Sequence, residues 1–401
     1  MDPKNDRIRG AYFQSIPPVL SICNLCIIFT CLEMNCYRSY ILIFFAAILL
    51  PSCAPQQTGL TYRSTDKKPR NVILLIADGM GSGQLTGSMF FKKKDKLINR
   101  FPVVGFKKTS ASDDLITDSA ASGTAMSCGI KTYVGAIGVD QDTIPVQNMI
   151  EKMSQSKKAT GLVVSSSIVH GTPASFYAHR STRLDLEGIA EDLVTASPDL
   201  FIGGGKYYFS ARRDGQDLID KLCEKGYQVH SFFNEEISIT NPNPKHKFAF
   251  FTAEREPLSA NLKRRYLPLA VNKAIKYLSK RSDNGFFLMV EASQVDWACH
   301  NKNADWLSAE LKDFRSTLYE ILRFANKDGN TLVIVTGDHE TGGVSVEGKS
   351  SLGAVKFVFG SNDHTGEMVP VLAMGPGANL FSGIYENTEI HNKIMQLING
   401  Q

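Results

Sequence analysis

The sequence predicts an α/β fold, with a mostly parallel central sheet and helices on both faces. Two observations carry this. Short, almost uniformly apolar runs recur along the chain, as strands buried on both faces must read. Between them lie longer stretches whose apolar residues recur at helical spacing, so strands and helices alternate. A third observation gives the sheet a working edge. Three of the runs end in acidic residues or histidines, and in open α/β sheets ligands sit outside the carboxyl ends of the strands.

Taken in order, Val72–Ala77 (VILLIA) is the first strand and runs into Asp78-Gly79-Met80-Gly81. A helical pattern over Val146–Ser156 precedes the strand Gly161–Ser165, and one over Leu184–Ala196 precedes the strand Leu200–Ile202. Helices are expected at Gln216–Lys225 and Leu267–Lys280. The strand Phe286–Val290 (FFLMV) leads to Glu291 and Asp296. After a helix at Ala309–Asn326, the strand Leu332–Thr336 (LVIVT) leads to Gly337-Asp338-His339-Glu340, and Val369–Met374 is the last strand. One Asp after a strand is ordinarily a helix cap. Three such ends, two with histidines nearby, are not explained by capping.

Composition bounds the rest. The chain has 401 residues, 43% hydrophobic and 21% charged, with 32 Gly and 16 Pro, which excludes disorder, collagen and a pure coiled coil. A net charge of +4 from 44 basic and 40 acidic residues gives no case for nucleic acid as a partner. The run Lys92 to Lys96 reads as a solvated loop. Apolar segments suited to a membrane occur only near the N-terminus, which excludes a multi-span membrane protein.

Residues 1–53 read as a targeting segment. The run 40–50 (YILIFFAAILL) has the length of a signal h-region, Arg38 flanks it, and Pro51-Ser52-Cys53 follows. Cys53 resembles a lipobox cysteine that becomes the lipidated first residue, although Pro51 departs from the usual small or aliphatic residue. An ordinary secretory signal is the alternative. Met34 opens a compact signal of its own and is the expected translation start. Residues 54–70, polar with Pro55 and Pro69, suit a tether, and 71–401 a single domain. Five of the 8 cysteines lie at or before Cys53. Cys128, Cys223 and Cys299 make neither a disulfide framework nor a zinc knuckle.

The candidate ligands follow. Asp296 and His300 are four apart, and if that stretch is helical both share one face. An i,i+4 surface pair is the alternative. Asp338-His339 sit between a strand and Thr341-Gly342-Gly343, and His364-Thr365-Gly366 forms a Gly-bounded turn. The oxygens of Asp78, Asp296 and Asp338 with the nitrogens of His300, His339 and His364 match zinc, and six ligands suggest two ions. Ser119, before the small residues Ala120-Ala121-Ser122-Gly123, is the candidate nucleophile at a helix N-terminus able to meet phosphate. The other reading is a tightly packed helix start. Neither a P-loop nor a Gly-x-Ser-x-Gly elbow is present.

These residues resemble the alkaline phosphatases. Five blocks match in order: Ala77–Gly81, Thr117–Ala121, His170–Ala174 with Ala178–Arg183, Glu291–Asp296 with His300, and Asp338-His339 with His364–Gly366. The resemblance implies that Ser119 is transiently phosphorylated. It implies a first zinc on Asp296, His300 and His364, and a second on Asp78, Asp338 and His339. A magnesium on Asp78, Glu291 and Thr172 is implied too, with Arg183 gripping two phosphate oxygens. Two in-line displacements with net retention at phosphorus, a broad range of small phosphate monoesters and an alkaline optimum follow from it. It leaves a homodimer open. Together with Cys53, it implies a periplasmic or outer-membrane-tethered lipoprotein. His170 stands where many bacterial members have Asp, and Trp297 where some have Lys, which puts the magnesium site in question. Between Arg183 and Glu291 reduced surface loops are expected. The rivals are a phosphodiesterase or other relative within the superfamily, and a non-catalytic surface lipoprotein.

Overall fold

Among the described residues, ten strands form one sheet. In this computed structural model the described residues are 68–92, 96–232, 236–238 and 240–400. Met34, Cys53 and nearly all of the expected tether lie outside them. In chain order the elements are β1 (Asn71–Ala77), α1 (Ser82–Met89), β2 (Val103–Lys108), α2 (Ser119–Cys128), α3 (Met149–Gln155) and β3 (Ala159–Ser167). Then come α4 (Gly171–Ala174), α5 (Leu186–Ala196), β4 (Leu200–Gly204), α6 (Tyr207–Ser210), α7 (Leu218–Glu224), β5 (Tyr227–Ser231) and β6 (Lys247–Phe251). Next are α8 (Leu267–Leu278), β7 (Phe286–Ala292), α9 (Gln294–His300), α10 (Ala304–Asp328), β8 (Thr331–Thr336), β9 (Glu340–Thr341), β10 (Val344–Val346) and β11 (Phe357–Phe359). The chain closes with β12 (His364–Thr365), β13 (Val369–Met374), β14 (Gly383–Glu386) and α11 (Glu389–Asn399).

The strand order is β14-β2-β13-β8-β1-β7-β3-β4-β6-β5, and the sheet is parallel except at β13, which runs antiparallel to both β8 and β2. Because strand side chains alternate, β1 serves two cores at once. Ile73, Leu75 and Ala77 join the core shared with α8, α9 and α10. Val72, Leu74 and Ile76 join the opposite core, which holds residues of α2, α3, α5, α7 and α11. Helices therefore cover both faces, as the sequence predicts.

Local signals set the helix starts. Asp118, Asn148, Asp185, Asp217 and Asn303 cap α2, α3, α5, α7 and α10, each side chain accepting a backbone N–H. Such a cap stabilises by ~1 kcal/mol. These caps trim the expected helices at their N-termini and extend α10 back to Ala304. Unforeseen are β2, β5, β6, β14 and the short pairs β9–β12 and β10–β11. β2 alternates and carries Gly105, Lys107 and Lys108, so it has no apolar run, and β14 is an exposed edge. Among the described residues no helix is long and apolar enough to cross a membrane.

Candidate metal centre

Four neighbouring strands, β8-β1-β7-β3, deliver the predicted residues to one edge. Asp78 follows β1 directly. Glu291 is the next-to-last residue of β7, which runs through Ser293 into α9, and α9 is the helix that Asp296 and His300 required. Asp338 and His339 follow β8. His170 and Thr172 lie past β3, a fourth strand end that the sequence reading did not count. His364 begins β12, paired with β9 so that it faces Thr341. The turn after β1 needs Gly79, whose φ is 73° and where a Cβ would stand 2.8 Å from Thr341 Oγ1 and 2.9 Å from Asp296 Cα.

The first ligand set converges. His300 Nε2 is 3.3 Å from Asp296 Oδ2, His364 Nε2 is 3.6 Å from Asp296 Oδ1, and the two Nε2 atoms are 3.1 Å apart. His300 Nδ1 faces the carbonyl of Asn362 at 2.7 Å and His364 Nδ1 that of Thr117 at 2.8 Å. A carbonyl can only accept, so both Nδ1 atoms carry a proton, and a neutral ring keeps its lone pair on Nε2. At that distance either a proton on one ring or a metal cation shared by both satisfies the two Nε2 atoms, and imidazole nitrogens beside a carboxylate suit zinc. Burial would raise Asp296, but the hydrogen bond from His300 and the neighbouring imidazoles hold it well below the usual carboxylate range. His300 is pushed up to about 9, first by that same bond.

The second set is Asp78, Asp338 and His339, all without solvent exposure. One ligand atom from each lies within 4.8 Å of the others. His339 Nε2 is 3.5 Å from Asp78 Oδ1 and 3.2 Å from Asp338 Oδ2, which makes no hydrogen bond. The third set is Asp78, His170 and Glu291, again within 4.8 Å. Glu291 Oε2 accepts from Ser293 at 2.6 Å and Ser166 at 3.3 Å, while Oε1 is buried without a hydrogen bond. Thr172 Oγ1 and His170 Nδ1 are buried without partners in the same way. Asp78 is driven well above the usual carboxylate range, first by burial and then by the charges of Asp338, Asp296 and Glu291. Burial likewise takes Glu291 up to about 7. Buried like charges with idle oxygens are what a bound cation relieves. Nitrogen–oxygen sets fit zinc, and the oxygens of Asp78, Glu291 and Thr172 fit magnesium. His170 fits magnesium poorly. Burial and the charge of Arg183 take it down to about 4, and its ring meets Trp297 edge-on, centroids 5.7 Å apart.

Ser119 is the first residue of α2, almost fully buried at the edge of these sets. Its Oγ is 3.3 Å from His339 Nε2 and 3.4 Å from Asp78 Oδ2. Arg183 Nη1 donates to Asp118 Oδ2 at 2.8 Å, and Arg183 Nη2 is 3.4 Å from His170 Nε2. The guanidinium lies so close to α4 that a Cβ on Gly171 would stand 2.9 Å from its carbon.

Every predicted site residue is thus gathered at one edge. Two partners were missed. Asp118 caps α2 through Ala121 N at 2.9 Å and also holds Arg183, and an Asp before a small-residue helix was a usable signal. Thr341 donates to Asp296 Oδ1 at 2.5 Å, for which the sequence offered no signal. The arrangement can hold cations, present a hydroxyl at a helix N-terminus and bind an anion.

Residues 69–359 match the family model described as alkaline phosphatase. Alkaline phosphatase 4 of Bacillus subtilis (strain 168) is 31% identical over 82% of this chain and 88% of that protein. The solved structure of alkaline phosphatase from the Antarctic bacterium TAB5 is 40% identical, with a TM-score of 0.78 over 84% of this chain and 99% of that one. A variant of the TAB5 enzyme, with a histidine replaced by glutamate and Mg bound in its M3 site, matches at 40% identity and a TM-score of 0.79, with the same coverage of both chains.

Proposed function

Since the chain belongs to the alkaline phosphatase family and is a metal-binding phosphatase of phosphate monoesters, we propose that it works through a phosphoserine on Ser119 with two zinc ions and one magnesium. Asp296, His300 and His364 would hold one zinc, Asp78, Asp338 and His339 the other, and Asp78, Glu291 and Thr172 the magnesium. Bound there, the ions supply Lewis acidity and positive charge to the serine, water and phosphoryl oxygens. Ser119 Oγ gives up its proton to solvent and forms the new P–O bond as the ester P–O bond breaks, and the alcohol leaves with a proton drawn from solvent. Water then attacks phosphoserine from the side the alcohol vacated, in line with the Ser119 Oγ–P bond, which breaks to release inorganic phosphate, and the attacking water's proton restores the serine hydroxyl. The N-terminal end of α2 faces the phosphoryl group with positive dipole. Arg183, already fixed by Asp118, offers its remaining N–H groups to two phosphate oxygens.

The observation that carries this reading is the position of Ser119 Oγ, 3.3 Å from His339 Nε2 at a helix N-terminus beside the idle carboxylate oxygens. Rates on p-nitrophenyl phosphate and on its bis-ester test it, and a faster diester would favour a phosphodiesterase. Because the grip is on the phosphoryl group alone, the range of monoesters is broad, and a water that ionises only near or above neutrality beside the ions would set the optimum in the alkaline range. Arg183→Ala removes a charge-assisted contact, so kcat/KM falls about ten- to hundredfold in steady-state assays.

His170 adds no negative charge beside the magnesium ligands. His170→Asp therefore tightens magnesium and lessens stimulation by added Mg²⁺; a TAB5 variant with a histidine replaced by aspartate has Mg bound in its M3 site. Mg²⁺ titrations at fixed zinc compare the two proteins. Identical activation curves would show that this position does not tune the site.

Residues 71–401 are read as one domain carrying the site, and the protein as exported and tethered through a lipid on Cys53, with a homodimer open to test by light scattering. Cys53→Ser shifts the protein out of the membrane fraction and changes its N-terminal mass. Unaltered fractionation removes the anchor from this reading.

A further inference from the structure

Lys107, on a strand next to one edge of the sheet, has no solvent exposure, an uncommon state for an ammonium group. It stands on β2 opposite Val369 of β13, and the sheet fixes its stem. Its Nζ donates to the backbone carbonyl of Asp338 at 2.8 Å. Ser122 Oγ donates to the same carbonyl, also at 2.8 Å. A carbonyl has two lone pairs, and here both are taken. The carboxylate is held by other donors, Oδ1 accepting from Gly79 N at 3.0 Å and His339 N at 2.9 Å. Every acceptor of Asp338 is thus occupied except Oδ2, the atom turned toward Asp78 and His339. Ser122 sits three residues after Ser119 on α2, so both share a helical face. One carbonyl thereby ties the nucleophile's helix to the ligand loop after β8.

We propose that Lys107 is a positioning residue for the zinc held by Asp78, Asp338 and His339: by gripping the Asp338 carbonyl it aims Oδ2 at the ion and, with Ser122, fixes the distance from the ion to Ser119. This rests on the assignment of Asp338 as a zinc ligand. The hydrogen bond is donated whether or not the amine is protonated. Partners that orient metal ligands matter to affinity by about ten- to a hundredfold.

The test uses the full protein with Lys107→Met, which keeps the length of the side chain and removes the donor. Zinc retained against a competing chelator is measured by elemental analysis, independently of activity. One of the two zinc ions is expected to bind about ten- to a hundredfold more weakly, with the other as in the parent. The melting temperature of the metal-free variant is expected to hold or rise, because a buried polar group gives way to an apolar one. A merely structural lysine predicts the reverse, a lower metal-free melting temperature with unchanged zinc affinity, and that result overturns the proposal. If Lys107→Met does not fold, Ser122→Ala decides. A weaker loss at the same ion supports the proposal, and parent-like retention of both ions overturns it. Asp338→Ala is run alongside. If it retains both zinc ions, the ligand assignment fails and the proposal with it. If it loses one while Lys107→Met loses none, only the proposal fails.

Discussion

Replacing Ser119 by alanine lowers turnover of a phosphate monoester by at least about a thousandfold, while inorganic phosphate still inhibits. The substitution deletes one oxygen and leaves the rest of the anion site. Arg183 stays paired to Asp118 at 2.8 Å, and α2 keeps its cap through Ala121 N. Ground-state binding therefore survives and the covalent route is lost. Acid quenching of the parent during turnover should leave phosphate on Ser119, detectable by mass spectrometry of the peptide. Phosphate trapped on another residue would overturn the assignment. So would a variant whose turnover and inhibition both match the parent.

Stripping the ions with a chelator abolishes activity to within assay background and lowers the melting temperature, and zinc with magnesium restores both. The physical reason is the company that Asp78 and Glu291 keep. Without cations both carboxyls are pushed above their usual range by burial and by neighbouring carboxylates, Glu291 from 4.5 to about 7. A carboxyl whose folded pKa is raised binds its proton in the folded state after the unfolded chain has lost it. Its stability contribution is thus largest below about pH 4.5 and is lost as pH rises toward about 7. Cations compete with that proton. The gain in melting temperature on adding the ions is therefore larger at pH 7.5 than at pH 5 (assay values on the order of these). Scanning calorimetry of chelated and reloaded protein reads it directly. A gain that shrinks as pH rises would mean that these carboxylates do not meet a cation.

Most of this centre was legible because its parts are local. β1, β7 and β8 are apolar runs that end in carboxylates, and Asp296 with His300 needed only one short helix to face each other. Residues whose role depends on a distant partner were not legible. Asp118 looks like a helix cap and is one, but its second partner Arg183 is 65 residues away. Lys107 sits in an alternating segment next to exposed Lys108, so nothing local says which lysine points inward. Burial there is decided by β13 and β14 closing on either side of β2, a long-range event. β5 and β6 escaped for a related reason, since their pairing extends the sheet beyond the residues that carry chemistry.

If Arg183 grips phosphate as proposed, its pairing with Asp118 has a kinetic consequence. An arginine that a neighbouring carboxylate already half neutralises is stiff, so little ordering is needed when phosphate arrives. The same carboxylate, held ionised despite burial by Arg183 and by the N–H groups of Ala121 and Gly135, repels the dianion that the arginine attracts. In that reading the carboxylate offsets part of the pocket's attraction for phosphate. Inorganic phosphate is the product of every cycle, and a site with Arg183 unopposed would hold it long after the chemistry was over. On this view Asp118 sets the dwell time of the product, exchanging some affinity for faster clearance of the site.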